Sequence, residues 1–241
     1  MLAVLALRAG QTVYYNELAD ELWPGEFLKN PRNAIQAQAT RIRKTIEGCI
    51  QRTEESAALR PVYNGYILDI SRDAVDTNRF LDLTMRGNND LALEPARALR
   101  SLRQGLQLWR GPALLNTRTG EQCRSAAAFL DERRMLANED LMSAHLLLGD
   151  NRKAVAELQT LVAAYPSRER LCELLMLALY RTGRQAEAIH VFHRIRQRLD
   201  AELGVVPGRE LARLYQKILI QDSSLDSATA VLSRPEVCSG V

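Results

Sequence analysis

Between Asn30 and Glu47 the chain places Asn33, Gln36, Thr40 and Lys44 at spacings of three and four residues, with Arg32, Arg41 and Arg43 beside them. These side chains can do one recognisable kind of chemistry. Asn and Gln pair bidentately with adenine, Thr meets a base edge or a thymine methyl, and Lys and Arg take guanine or phosphate. From Phe27 to Ile46 the run contains no acidic residue, although acids are common elsewhere. The expected assignment is Asn33, Gln36, Thr40 and Lys44 at base edges, with Arg32, Arg41 and Arg43 at phosphates. The same face would also suit plain solvent, because charged runs on helices are commonly just solvated. What flanks the helix decides between the two readings.

The positioning element reads as a helix. Asn30 can cap it, and Pro31 fits the first helical position, where its missing N–H costs nothing. Ile35, Ala39, Ile42 and Ile46 fall at helical spacing as one narrow apolar stripe, opposite Gln36, Thr40 and Lys44. Upstream, Met1 to Arg8 reads as an apolar helix closed by Ala9-Gly10-Gln11, and Thr12 to Tyr14 as a short extended link. Asn16 is expected to cap a second helix over 17–22, stopped by Trp23-Pro24-Gly25. Downstream, a polar loop over 51–57 leads to residues 61–70, where Asn64-Gly65 between β-branched and aromatic residues predicts a hairpin. Three helices and then a hairpin is the order of a winged helix, whose third helix enters the major groove. Arg60 and Tyr63 at the wing would touch phosphates or the minor groove, or else belong to a structural hairpin with a solvated arginine.

From Asp76 the chain becomes helix after helix, with breaks expected at 87–89, 111–112, 149–150, 165–166, 182–183 and 204–208. A repeat is visible at the 34-residue tetratricopeptide period. Gly149 and Gly183, Ala144 and Ala178, Ala154 and Ala188, Leu158 and Phe192, and Leu161 and Ile195 are its matched positions. Helices over 91–109, 125–138 and 209–219 should stack on that pair, since one repeat pair does not bury its faces alone. The Ser-, Asp- and Ala-rich stretch from 223 to 241 is expected to be disordered.

Composition narrows the function classes. The net charge of +3 on 241 residues is mild, so a nucleic-acid site has to be local. Cys49, Cys123, Cys172 and Cys238 are scattered without a CxxC pair and suggest neither a disulfide framework nor a zinc site; Cys49 and Cys172 fit core thiols. His190 and His193 share a helix face but lack a third ligand, and His145 falls at a core position of the repeat. No phosphate-binding glycine loop, nucleophile elbow or metalloprotease motif is present, so no enzyme, catalytic residue, metal or cofactor is expected. Met1 to Ala9 is apolar but too short to span a bilayer, and the cytoplasm is the expected compartment.

Several stretches together resemble a known family: Asn33-Ala-Ile-Gln36 with Arg41-Ile-Arg-Lys44, Asn64-Gly-Tyr66, Leu108-Trp-Arg-Gly-Pro-Ala-Leu114, the run from Leu175 to Ala188, and Glu202-Leu-Gly-Val-Val-Pro-Gly208. They are similar to the Streptomyces antibiotic regulatory proteins, which join an OmpR-type winged helix to a bacterial transcriptional activation domain. The resemblance implies a mainly α protein. Residues 1–72 would form the winged-helix DNA-binding domain, residues 76–222 a tetratricopeptide-like activation domain, and residues 223–241 a tail. It further implies binding to direct repeats in double-stranded promoter DNA as a homodimer, recruitment of RNA polymerase, and control of an antibiotic biosynthetic cluster. In that family a small antiparallel sheet precedes the first helix. Here the chain starts within that helix, which is expected to leave parts of Leu2, Val4, Leu5 and Leu7 uncovered. The rival reading is a protein-interaction module of the tetratricopeptide type that does not bind DNA.

Overall fold

The computed structural model describes residues 1–26, 28–49, 58–117 and 120–232. The expected loop over 51–57 and the last residues of the expected tail lie outside this set. Helix α1 (Leu2–Leu7) leads to β1 (Thr12–Tyr14), α2 (Tyr15–Leu22) and α3 (Pro31–Cys49). Strands β2 (Ala58–Val62) and β3 (Gly65–Asp69) follow. Eight helices complete the described chain: α4 (Asp76–Asp90), α5 (Pro95–Gln107), α6 (Glu121–Leu147), α7 (Asn151–Ala164), α8 (Glu169–Arg181), α9 (Gln185–Leu203), α10 (Arg209–Leu219) and α11 (Ala228–Leu232).

These elements form two compact units. One holds residues 1–84 with 104–135; the other holds 85–103 with the chain from Leu136 onward. The cuts between these units fall within α4, α5 and α6.

In the first unit the three strands make an antiparallel sheet in the order β1-β3-β2. The sequence suggested only a link at 12–14, but Thr12, Val13 and Tyr14 pair with Ile67, Tyr66 and Gly65. The hairpin is present with its turn one residue earlier than expected. Val62 pairs with Gly65, leaving Tyr63 and Asn64 at the tip, and Asn64 takes the left-handed conformation with φ 59°. Gly65 serves the third strand instead of the turn: a Cβ there would fall 2.3 Å from the Val13 carbonyl oxygen. The start of α2 also differs. Glu17 in its first turn accepts the Tyr14 N–H at 2.8 Å and pairs with Arg8 at 2.7 Å, so Asn16 lies inside the helix and does not cap it.

The core of this unit gathers Val4 and Leu5 of α1, Val13 of β1, Leu18 of α2, Ile35 and Ala39 of α3, and Leu59, Tyr66 and Leu68 of the sheet. Of the residues expected to be uncovered, Val4 and Leu5 are fully buried, Leu7 is half-buried, and Leu2 is exposed. The core also takes in Cys123 from α6, which the sequence placed in the other domain. Burial pushes the Cys123 thiol up to about 11, so it is an inert packing group.

The contact that brings α6 there is polar. Glu21 on α2 is only 4% exposed, and its carboxylate accepts the backbone N–H groups of Gln122 and Cys123, both at 2.8 Å. Those are orphan donors of the first turn of α6, and a carboxylate there also meets the positive end of the helix dipole. Gly120 makes the approach possible: a Cβ on it would lie 2.1 Å from the Glu21 carboxyl carbon. Beside this, Trp109 stacks edge-on against Phe80 at 5.2 Å, and the Arg134 guanidinium lies 4.7 Å from the Trp109 ring centre.

The second unit carries the repeat. Ala144, Ala178, Ala154, Ala188, Leu158, Phe192 and Ile195 are all buried, and Leu161 is half-buried. Gly149 and Gly183 both take the left-handed conformation, with φ of 80° and 76°, at equivalent turns after α6 and α8. The helix pairs α6–α7 and α8–α9 are therefore successive copies of one motif. Because Ala188 has no exposed surface, Ala188→Leu is expected to overpack and cost about 1–3 kcal/mol in a urea denaturation series. An unchanged midpoint would contradict the close helix crossing.

Two local expectations change in this unit. The break expected at 87–89 is absent, since α4 runs on to Asp90. Gly87 marks a close crossing instead: a Cβ would sit 2.5 Å from Leu102 Cγ. His145 is buried as expected, with Nδ1 3.0 Å from an oxygen of Asp150. The stretch from 223 is ordered at its start. A 3-10 turn at Ser223–Asp226 and helix α11 bury Leu225 and Val231, while residues 233–241 lie outside the described set. Polar composition concealed two apolar anchors and the arginines that bind this segment's carbonyls.

Candidate nucleic-acid interface

Helix α3 starts where the sequence placed it. The Asn30 side-chain oxygen accepts the Asn33 N–H at 3.2 Å. Ile35 and Ala39 are fully buried, and Ile42 and Ile46 pack partly against the same core. The opposite side is left to solvent: Arg32, Asn33, Gln36, Thr40, Arg41 and Lys44 are exposed together. Ala37 and Thr45 share this face and were not singled out in the sequence, since neither carries charge or an amide. All four expected base-reading residues thus lie on one accessible surface.

Hydrogen bonding refines what each can offer. The Thr40 hydroxyl donates to the Gln36 carbonyl at 3.0 Å, and the Thr45 hydroxyl to the Arg41 carbonyl at 3.0 Å. With its proton engaged, Thr40 presents lone pairs and a methyl group outward. That suits an amino donor on a base edge or a thymine methyl. Arg41 and Lys44 have no carboxylate partner among the described residues, so their charge is available to an anion.

The other expected phosphate contacts divide. Arg32 is exposed and lies 5.3 Å from the Tyr15 ring centre, a stacked position that holds the guanidinium near the start of α3. Tyr63 is 95% exposed at the wing tip and can reach outward. Arg43 is different from the expectation. It is half-buried, its Nε donates to the Leu59 carbonyl of β2 at 3.0 Å, and its guanidinium lies 5.7 Å from the Tyr66 ring centre. Position 43 sits four residues beyond Ala39, at the edge of the buried stripe, so the long side chain folds back over the sheet. Arg43 therefore ties α3 to the wing and is not a free surface cation. Arg60 also departs from the expectation, because it pairs with Asp69 at 2.6 Å on the exposed sheet. A surface pair of this kind adds about 0–1 kcal/mol, but it offsets the charge a phosphate would need.

An aromatic bridge sets the angle between α3 and the wing. Tyr15 and Tyr66 meet edge-on at 5.7 Å, flanked by Arg32 on one ring and Arg43 on the other. Burial, and then the neighbouring Tyr15, push the Tyr66 phenol up, so it stays neutral. The wing turn is held at the same place by the Tyr15 N–H, which donates to the Asn64 carbonyl at 2.9 Å. None of these ties was visible in the sequence, because they join residues distant in the chain.

Among the described residues no group of His, Cys, Asp and Glu could hold a metal, and no helix is long and apolar enough to cross a membrane. His190 and His193 are both exposed on α9.

Residues 75–219 match the family model described as the bacterial transcriptional activator domain. The transcriptional regulator RedD of Streptomyces coelicolor is 47% identical over 237 residues, covering 98% of this chain and 67% of that protein. The regulatory protein DnrI of Streptomyces peucetius is 33% identical over 232 residues, covering 93% of this chain and 84% of that one. The regulatory protein AfsR of Streptomyces coelicolor is 38% identical over 236 residues, but the match covers only 22% of its length. Among solved structures, Mycobacterium tuberculosis EmbR in complex with a low-affinity phosphopeptide superposes with a TM-score of 0.85 at 29% identity. That match covers 95% of this chain and 61% of the EmbR chain.

Proposed function

The chain belongs to the Streptomyces antibiotic regulatory protein family of transcriptional activators, and from that premise we propose that it reads promoter DNA through α3. The observation that carries this reading is the face of α3 opposite Ile35 and Ala39. It is exposed, free of acids and lined by Asn33, Gln36, Thr40 and Lys44. In this proposal those four meet base edges in the major groove. Arg41 and Arg32 meet the flanking phosphates, and Tyr63 reaches the backbone or minor groove from the wing. Arg43 and Arg60 are left out of the contact set, because both are committed within the fold. The chain would act in the cytoplasm as a homodimer on direct repeats. It would recruit RNA polymerase to the promoters of an antibiotic biosynthetic cluster. RedD and DnrI, named as regulators, support the transcriptional part of this reading.

The test is titration of promoter fragments that carry direct repeats, at several salt concentrations. Specific retardation is expected. Arg41→Ala should weaken cognate and scrambled DNA alike, and lower the magnitude of the slope of log K against log salt by about one. A chain that serves only as a protein-interaction module would leave every fragment unshifted.

A further inference from the structure

In the second unit α7 and α9 flank a groove floored by α8, with a volume of about 390 Å³. Its apolar lining comes from Val162 and Ala163 on α7, Cys172 and Leu175 on α8, and Val191 and Ile195 on α9. Cys172 and Leu175 of the floor are only 1% exposed, and Gln159 on α7 is the one uncharged polar side chain in the lining. Burial pushes the Cys172 thiol up to about 12, which leaves it a neutral packing surface and not a nucleophile.

Charge on the groove is one-sided. Arg194 and Arg198, one helical turn apart on α9, line it, and no carboxylate does. Two acids of α8 are engaged away from the groove, and one of α9 pairs with a lining arginine. Glu169 accepts the Gly208 N–H at 2.7 Å, Glu173 is bridged to Arg170 at 2.9 Å, and Glu202 pairs with Arg198 at 2.8 Å. That last pair is half-exposed, so it competes only weakly with an incoming acid. Arg194 is exposed and has no carboxylate partner among the described residues.

We infer that this groove is a docking site for an acidic amphipathic helix of a partner protein. Apolar side chains at positions i, i+3 and i+4 would enter between Val162 and Ile195, and carboxylates on the flank would meet Arg194 and Arg198. Charge complementarity selects the partner's sign, and the apolar floor selects a protein segment over a polyanion such as nucleic acid. The inference does not depend on DNA reading by α3, which lies on the other unit.

The probe is a fluorescein-labelled peptide of about four helical turns, with leucines at i, i+3, i+4 and i+7 and glutamates or aspartates elsewhere. A matched peptide carries lysine at every acidic position. Fluorescence anisotropy on the full chain should show saturable binding of the acidic peptide, and none of the basic one at the same concentrations. Arg194→Glu should weaken the acidic peptide roughly tenfold or more, with an unchanged thermal melt. Val162→Asp, at a half-exposed wall position, should do the same through the apolar contact. Arg41→Ala on α3 should leave peptide binding unaltered. Equal binding of both peptides, indifference to Arg194→Glu, or loss of binding with Arg41→Ala would overturn the inference. The last result would place the peptide on the basic face of α3.

Discussion

Replacing Glu21 by alanine is expected to destabilise the first unit by about 2–4 kcal/mol, although this residue lies outside the apolar core. The carboxylate accepts two backbone donors at the start of α6, the half-buried N–H of Gln122 and the buried N–H of Cys123. Each charge-assisted bond of this kind contributes about 1.5–3 kcal/mol. Their loss leaves donors that water reaches poorly beside the buried Cys123. Gly120→Ala should reproduce much of the effect from the other side. Its new Cβ would occupy the space of the Glu21 carboxyl group, and the side chain could escape only by breaking both bonds. The measurement is urea denaturation of each variant and of the pair. If both changes act through one tie, the double variant should cost little more than either alone. Full additivity, or unchanged midpoints, would show that the tie contributes nothing to stability.

Arg181→Ala should cost a similar amount, about 2–4 kcal/mol, in the second unit. The guanidinium donates to three carbonyls: Leu225 at 2.8 Å, Ser227 at 2.7 Å and Leu146 at 3.2 Å. The Leu146 carbonyl lies at the end of α6, where it also accepts the Gly149 N–H at 3.3 Å, and the other two belong to the segment after α10. Burial pulls the Arg181 pKa down, and the nearby Asp226 opposes that. The group remains charged because the carbonyls and this acid replace the water it lost. Arg170 supports the same segment through the Val231 carbonyl at 2.5 Å. Removal of Arg181 should therefore loosen residues 223–232 first, which limited proteolysis would detect as new cleavage there before global unfolding. Arg181→Lys should restore only part of the loss, since a single ammonium does not span three acceptors in a fixed fork. Wild-type protease resistance in Arg181→Ala would contradict this account.

What could be read from the sequence follows the distance over which each feature is determined. The cap at Asn30, the proline after it, and the stripe of Ile35, Ala39, Ile42 and Ile46 are local, and the structure keeps them all. The repeat is equally local in kind, because the same helix crossing recurs at a fixed period and demands alanine at each copy. Gly65 and Gly87 show where such reasoning fails. Both looked like turn or break residues, yet each is a glycine because another element passes too close for a side chain. Arg43 looked like its neighbours Arg41 and Lys44, and only the position of Leu59, sixteen residues on, makes it a strut. The Glu21 contact joins residues about a hundred positions apart and has no periodic or compositional trace. It joins α2 to the part of α6 that shares a unit with α3.

The central claim is that the exposed face of α3 reads DNA sequence, with its middle at base edges and its margins at phosphates. Gln36 is the most direct probe, because it lies at the centre of that face, is exposed, and gives only its backbone carbonyl to an internal bond. Binding isotherms of Gln36→Ala on a cognate promoter site and on a scrambled site, at several salt concentrations, separate the two roles. The account predicts that specific affinity falls by about 1–3 kcal/mol, that preference relaxes at one base position, and that the salt slope stays close to wild type. Equal losses on cognate and scrambled DNA, or no loss on either, would show that this face of α3 does not lie against the bases.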